Sequence, residues 1–361
     1  MKAAKHENET RRPREGEGRR GREVRSEREH TLGLEETVDA AGRDSFPASD
    51  PPCWSPIHLG APAATARRDP EMFYDVVQRI RDDVRLFSEV IGERNDRSSA
   101  ALRNLARAAD AIEDRFRDAG APVRRRRVDA AAWNVEAVLR GERIPEESVV
   151  VGAHYDTARG SPGADDNASG VAMLLALAHA LPARRLYRTV RLVAFAAEEA
   201  PHTGTGATGS RRYLEDLRRE GPRVTAMIDV EAVGVYVAEP RRWPFRLVRL
   251  LTSDVAFVGD RETRWLLERA KRVFDAAEAD VRSAIVTHPF FFTPLRVQSH
   301  HAFARQGIPA FMVTDTGPLR SLDYHRATDT ADRLDYDRLG RTSLALERVV
   351  AELAGCAREE P

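Results

Sequence analysis

Apolar residues fall into short unbroken runs, separated by longer stretches in which they recur every three or four positions. The runs VVVGA (149–153), TVRLVAFAA (189–197), VTAMIDVEAVGV (224–235) and IPAFMVT (308–314) are rich in small and β-branched residues. Runs of this kind are strands buried on both faces. Between them lie helical patterns at Val171–Leu181, Ser210–Arg219, Thr263–Ala276 and Asp337–Leu353, with a short one at Ser299–Arg305. Two more helices come first. One starts at Asp69 with Pro70 in its first turn and an apolar stripe of Phe73, Val76, Val77 and Ile80. The other runs over Ser98–Ala119 on Leu102, Leu105, Ala108, Ile112 and Phe116, and Gly120 stops it. Short strands are expected at Val123–Asp129 and Trp133–Leu139, with a turn over Gly141–Glu147. Phe245–Leu251, Ala256–Gly259 and Arg282–Val286 read as further strands or hairpins. Strand–helix alternation predicts an α/β fold, a mostly parallel central sheet flanked by helices on both faces as a three-layer sandwich.

Composition adds a tail and removes several functions. Residues 1–62 divide into an Arg/Glu-rich stretch with few apolar positions, expected to be disordered, and a proline-rich linker carrying Trp54; residues 63–361 form a single domain. The 57 basic and 57 acidic residues cancel, which argues against a general nucleic-acid binder. Arginines 124–127 are expected to face solvent along a sheet edge and so blunt edge-to-edge pairing. Two distant cysteines, Cys53 and Cys356, read as free thiols in a reducing compartment. No run reaches the roughly 18 apolar residues of a membrane span, and the N-terminus has no apolar signal segment. A cytoplasmic protein with no membrane or nucleic-acid partner is expected.

Metal-ligand residue types gather beyond the carboxyl ends of the buried strands. HYD (154–156) and DD (165–166) follow the first run, EE (198–199) the second, DVE (229–231) closes the third, and YH (324–325) follows the last. An open α/β sheet places its chemistry at that edge. Taken singly, each group has a structural reading as a helix cap or a satisfied core histidine. Together, so many carboxylates at one edge repel unless a cation neutralises them. Imidazole and carboxylate donors without cysteine suit zinc or a similar divalent ion.

The blocks GAHYD, GADDNASG, AFAAEE, IDVEAVG and YHRATDT, in this order over roughly residues 70–355, resemble the M28 family of zinc peptidases. That is a co-catalytic dizinc group of aminopeptidases and glutamate carboxypeptidases. The resemblance implies two Zn²⁺ ions, with His154 and Glu231 on one, Glu199 and His325 on the other, and Asp165 bridging. It implies that Asp156 orients His154, that the Asp165–Asp166 peptide is cis, that Glu198 is the general base, and that Tyr324 stabilises an oxyanion. The substrate would be a short peptide or another amide.

The chain departs from the family pattern in places. Glu231 stands where the best-known aminopeptidases have Asp. The family's Ser-Asp-His block reads Ser299-His300-His301, so His301 keeps the histidine and His300 replaces the acid. His301 and Phe291 are candidates for a substrate pocket; a surface histidine pair and an apolar loop closing the core are the structural alternatives. No arginine cluster awaits an acidic side chain, so a glutamate-specific carboxypeptidase is not favoured. A zinc aminopeptidase is the reading, against two alternatives: hydrolysis of an acylated amino acid or another non-peptide amide, and a non-catalytic metal-binding homologue.

Overall fold

The computed structural model describes residues 69–236, 253–288, 299–315 and 321–355. The expectations for residues 1–62, for the Phe245–Leu251 strand and for Phe291 lie outside these residues.

Eight strands form one mixed sheet: β1 (Val123–Arg127), β2 (Trp133–Leu139), β3 (Ile144–His154), β4 (Arg188–Phe195), β5 (Arg223–Val230), β6 (Val255–Asp260), β7 (Ser283–His288) and β8 (Ala310–Thr314). Their spatial order is β1-β2-β4-β3-β5-β8-β6-β7. The central four, β4-β3-β5-β8, are parallel, whereas β1, β2 and β4 pair antiparallel, as do β6 and β8. The α/β class with a mostly parallel centre is as the apolar pattern predicts. β3 starts at Ile144, inside the expected turn, and its register shifts between Ile144 and Ser148. The third run stops pairing at Val230, which frees residues 231–235 to turn across the sheet edge.

Seven helices are described: α1 (Pro70–Arg85), α2 (Ser99–Asp118), α3 (Gly170–Ala180), α4 (Gly209–Glu220), α5 (Arg264–Ala277), α6 (Ser299–Ala304) and α7 (Tyr336–Leu353). Asp69 and Ser98 cap the first two, accepting from the N–H groups of Glu71 and Ala101 at 3.0 Å each. α1, α3, α5 and α7 pack together over one face of the sheet, and α4 packs with α6 on the other. β3 shows why the run does not alternate: Val149, Val151 and Ala153 enter the larger core while Val150 enters the smaller. Among the described residues no helix is long and apolar enough to cross a membrane.

β1 is an edge strand, but its arginines do not all face solvent as expected. Arg126 is buried, its Nε donating to Glu136 at 2.7 Å and its Nη atoms pairing with Glu220 on α4. Glu136 also accepts from Arg191 at 2.6 Å and from the Tyr213 hydroxyl at 2.7 Å. Period-two alternation turns Arg126 inward, and two distant acids make its burial tolerable.

Candidate metal centre

β3 lies where the chain order reverses, its neighbours being β4 on one side and β5 on the other. The crevice beyond its carboxyl end is therefore bounded by the ends of three parallel strands. His154 is the last residue of β3 and is buried. Its Nδ1 lies 3.0 Å from the Asp156 carbonyl oxygen, which can only accept, so Nδ1 carries a hydrogen. In the neutral ring Nε2 then holds the lone pair. Nε2 faces Asp166 Oδ1 at 3.1 Å and both oxygens of Glu231 at 3.2 Å.

His325, in the loop after β8, approaches the same carboxylate from the opposite side. Its Nε2 is 3.0 Å from Asp166 Oδ2 and 3.1 Å from Glu199 Oε1. Asp166 thus lies between two imidazoles, each with a second carboxylate beside it. Both Asp166 oxygens are buried, and neither has a partner in a regular hydrogen bond. A lone pair aimed at carboxylate oxygens is repulsive unless a proton or a cation lies between them. The nitrogen and oxygen donors, with no thiolate, suit zinc or a similar divalent ion. Atoms of His154, Asp166 and Glu199 fall within 4.8 Å of one another, close enough for one ion to reach all three.

Without metal, protons fill this role. Burial disfavours a charged His154, yet the Glu231 charge and the adjoining Asp156, Asp166 and Glu231 carboxylates lift its pKa well above the usual value. His325 is lifted to about 10, Asp166 and Glu199 overcoming the effect of burial. Burial pushes Asp166 up, but the two imidazoles prevail and hold it below the ordinary carboxylate range. Glu231 rises to about 8, chiefly through burial, against the pull of His154.

The acidic pair is one residue out of the expected register. Asp165 Oδ1 accepts from the Gly234 N–H at 2.8 Å and does not face the imidazoles. The cis peptide is Asp166–Asn167 and not Asp165–Asp166. Gly163 is left-handed at φ 61°, and Asp166 and Asn167 leave helical geometry inside the Ala164–Ser169 turn, so Asp166 is the residue swung toward the histidines. The amides of Asp165 and Asp166 both donate to Asp329, at 2.8 and 3.1 Å. Asp329 and the buried Arg94 are site-supporting residues that the pattern did not flag, because their partners are backbone groups, most of them far away in sequence.

Asp156 reaches His154 through its carbonyl; its own Oδ1 stands 3.7 Å from Nδ1. Its carboxylate instead accepts from the N–H groups of Glu198 and Glu199, at 3.2 and 2.9 Å. Glu198 Oε1 and Oε2 accept from the Ser210 N–H at 2.6 Å and its hydroxyl at 3.1 Å, at the start of α4. Burial pushes Glu198 up to about 8, partly offset by the Ser210 amide, with the Asp156 charge adding to the rise. The Tyr324 ring stacks on His325 at 4.0 Å. His300 and His301 are buried in α6, not a surface pair, with ring centres 4.3 Å apart. The His300 N–H donates to Asp229 at 3.0 Å. Three described non-glycine residues have a left-handed backbone: Ala197 (φ 59°), Ala232 (φ 46°) and His325 (φ 59°). The first two adjoin Glu198 and Glu231, and strain of this sort concentrates at functional sites.

Comparison with known proteins gives the family and the fold. The family model for peptidase family M28 matches residues 134–350. An uncharacterized Escherichia coli protein, YfbL, is 30% identical over 280 residues, covering 73% of this chain and 84% of its own length. Among solved structures, the Legionella pneumophila LapA aminopeptidase superposes with a TM-score of 0.61 at 17% identity, covering 82% of this chain and 78% of its own. The zinc aminopeptidase BSAP from Bacillus subtilis gives 0.60 at 14% identity, over 76% of this chain and 94% of its own. The family match spans more than half the chain, and the chain therefore belongs to peptidase family M28 and is a metallopeptidase.

Proposed function

We propose that the chain is a zinc-dependent aminopeptidase of short peptides, with Glu198 as general base and two zinc ions held by His154, Asp166, Glu199, Glu231 and His325. One observation carries this reading: the Nε2 atoms of His154 and His325 converge on the two oxygens of a single buried carboxylate, Asp166. His154 with Glu231, and His325 with Glu199, supply a separate pair of donors on each side. In this assignment Asp166, with one oxygen toward each imidazole, would serve both ions, and Asp165 would support the turn behind it. The aminopeptidase activity is that of the structural neighbours, taken here as the proposal for this chain.

When bound, the two dications polarise the scissile carbonyl and acidify water enough for attack near neutral pH. Glu198 takes the proton from the attacking water and returns it to the departing amine. A carboxyl lifted by burial sits closer to the working pH than an ordinary one, which suits such a shuttle. Asp156 keeps the base and the neighbouring ligand in fixed relation by holding both their amides. The Tyr324 hydroxyl donates to the developing oxyanion; burial and nearby carboxylates raise its pKa, so it remains a donor.

The test compares leucyl-p-nitroanilide and dipeptides with their N-acetylated counterparts, on chelated and zinc-restored protein. Zinc-restored cleavage of the free-amine substrates, with slower cleavage of the blocked ones, is expected. Preferential cleavage of the acetylated compounds would overturn the aminopeptidase reading in favour of an amidohydrolase. Metal binding with no turnover on either set would overturn both.

A further inference from the structure

Arg94 is fully buried, and among the described residues no carboxylate forms a hydrogen bond or ion pair with its guanidinium. All five of its side-chain hydrogen bonds go to main-chain carbonyls: Tyr155 at 2.8 Å, Phe87 at 2.7 Å, Gly92 and Pro162 at 2.9 Å, and Gly163 at 3.1 Å. Its backbone joins in, its N–H donating to Thr157 Oγ1 at 3.0 Å and its carbonyl accepting from the Thr157 N–H at 2.8 Å. Burial pulls the guanidinium down only to about 10, with Asp156, Asp329 and Asp166 opposing, so it stays charged at neutral pH.

Three of the five carbonyls, and Thr157, belong to the segment that leaves His154 and arrives at Asp166. Arg94 spans that segment from its first residue, Tyr155, to Gly163, three residues before Asp166. Gly163 is pressed between the two: a Cβ there would meet the Asp166 carbonyl oxygen at 2.5 Å and Arg94 Nη2 at 3.2 Å. Only a rigid planar fork with donors on several sides can tie four separate backbone stretches at once; a lysine ammonium has three donors at one point.

We propose that Arg94 is a positioning residue for the metal centre, setting the spacing between His154 and Asp166 by clamping both ends of the 155–163 segment. It touches neither substrate nor metal and acts through the backbone. The proposal rests on the metal-site reading above. Groups that orient metal ligands typically carry about 10- to 100-fold of metal affinity.

The experiment uses full-length Arg94→Lys and Arg94→Met proteins beside the native chain and Ile112→Ala, a cavity-forming change in the core of α2. Each is stripped of metal and titrated with cobalt(II), whose visible spectrum reports ligand geometry, and with zinc against a chromogenic chelator. Both Arg94 variants should bind zinc about 10- to 100-fold more weakly, with an altered cobalt spectrum. Ile112→Ala should lower the melting temperature and keep the native spectrum and affinity. Arg94→Lys retains the charge, so its failure to restore the spectrum locates the effect in the fork geometry. Native affinity and spectrum in both Arg94 variants overturn the inference. An altered spectrum in Ile112→Ala as well overturns it too, by assigning the change to general destabilisation. If the native chain itself binds neither metal, the metal-site reading falls first, and the inference with it. Where Arg94→Met does not fold, Arg94→Lys beside Ile112→Ala carries the same comparison.

Discussion

Removing metal should make the stability of this protein fall as pH rises, and the site gives the size of the effect. In the metal-free fold Glu198 and Glu231 both rise from an ordinary 4.5 to about 8. A group whose folded-state pKa exceeds its unfolded one contributes its stability fully below the unfolded value and loses it as pH climbs through the folded value. For the two glutamates that window runs from 4.5 to about 8. Each carboxyl then removes on the order of 5 kcal/mol across it, since one pKa unit is about 1.4 kcal/mol. Asp329, raised to about 6 by burial, acts in the same direction lower in the range. His325, raised from 6.5 to about 10, extends the decline to higher pH, and His154 adds to it. Asp166, held low, has the opposite sign, but its stability is lost only on acidification below the usual carboxylate range. Against a total stability of roughly 5–15 kcal/mol, the metal-free chain should be marginal by pH 9. Urea unfolding at pH 6, 7, 8 and 9, in chelator and in zinc, measures this directly. The chelated series should lose several kcal/mol, and the zinc series should lose less because metal replaces the protons at Glu231 and the two histidines. A chelated series that is flat, or that gains stability toward pH 9, would refute the reasoning about the buried carboxyls.

Three substitutions test other parts of the molecule. Asp166→Asn should abolish metal binding and activity, whereas Asp165→Asn should keep at least part of both; the reverse ranking by metal analysis would return the bridging position to Asp165. Glu198→Gln should retain metal and lose about 10²- to 10⁴-fold in turnover, and near-native kcat in a steady-state assay would remove it as general base. Arg126→Met leaves Glu220 and part of buried Glu136 without their partner, and should cost about 3 kcal/mol in denaturant unfolding with KM unchanged. A loss below about 0.5 kcal/mol would show that Arg191 and Tyr213 suffice for Glu136.

The order of buried runs made the sheet legible, because a strand covered on both faces needs apolar residues at every position, as Val149, Val150 and Val151 show. The strand ends made the candidate site legible, since His154, Glu199 and Glu231 stand at or just beyond the ends of such strands. The choice between Asp165 and Asp166 was not legible. The two side chains are chemically identical, and only the turn dihedrals after Gly163 decide which one faces the histidines. Arg94 sits in a short polar stretch between helices, where its sequence neighbours suggest a solvated turn. Its five partners come from 2 to 69 positions away, and only the folded chain assembles them. Arg126 was hidden in a run of four arginines for the same reason, its acids arriving from β2 and α4.

Metal content is the most direct test of the site. Protein stripped with chelator, reloaded with excess zinc and exhaustively dialysed would be assayed by elemental analysis beside Asp166→Asn prepared identically. Two zinc ions per native chain and fewer than one in the variant are predicted. A native chain that keeps no zinc, or an Asp166→Asn chain that keeps the same amount as native, would contradict the shared carboxylate at the centre of this structure.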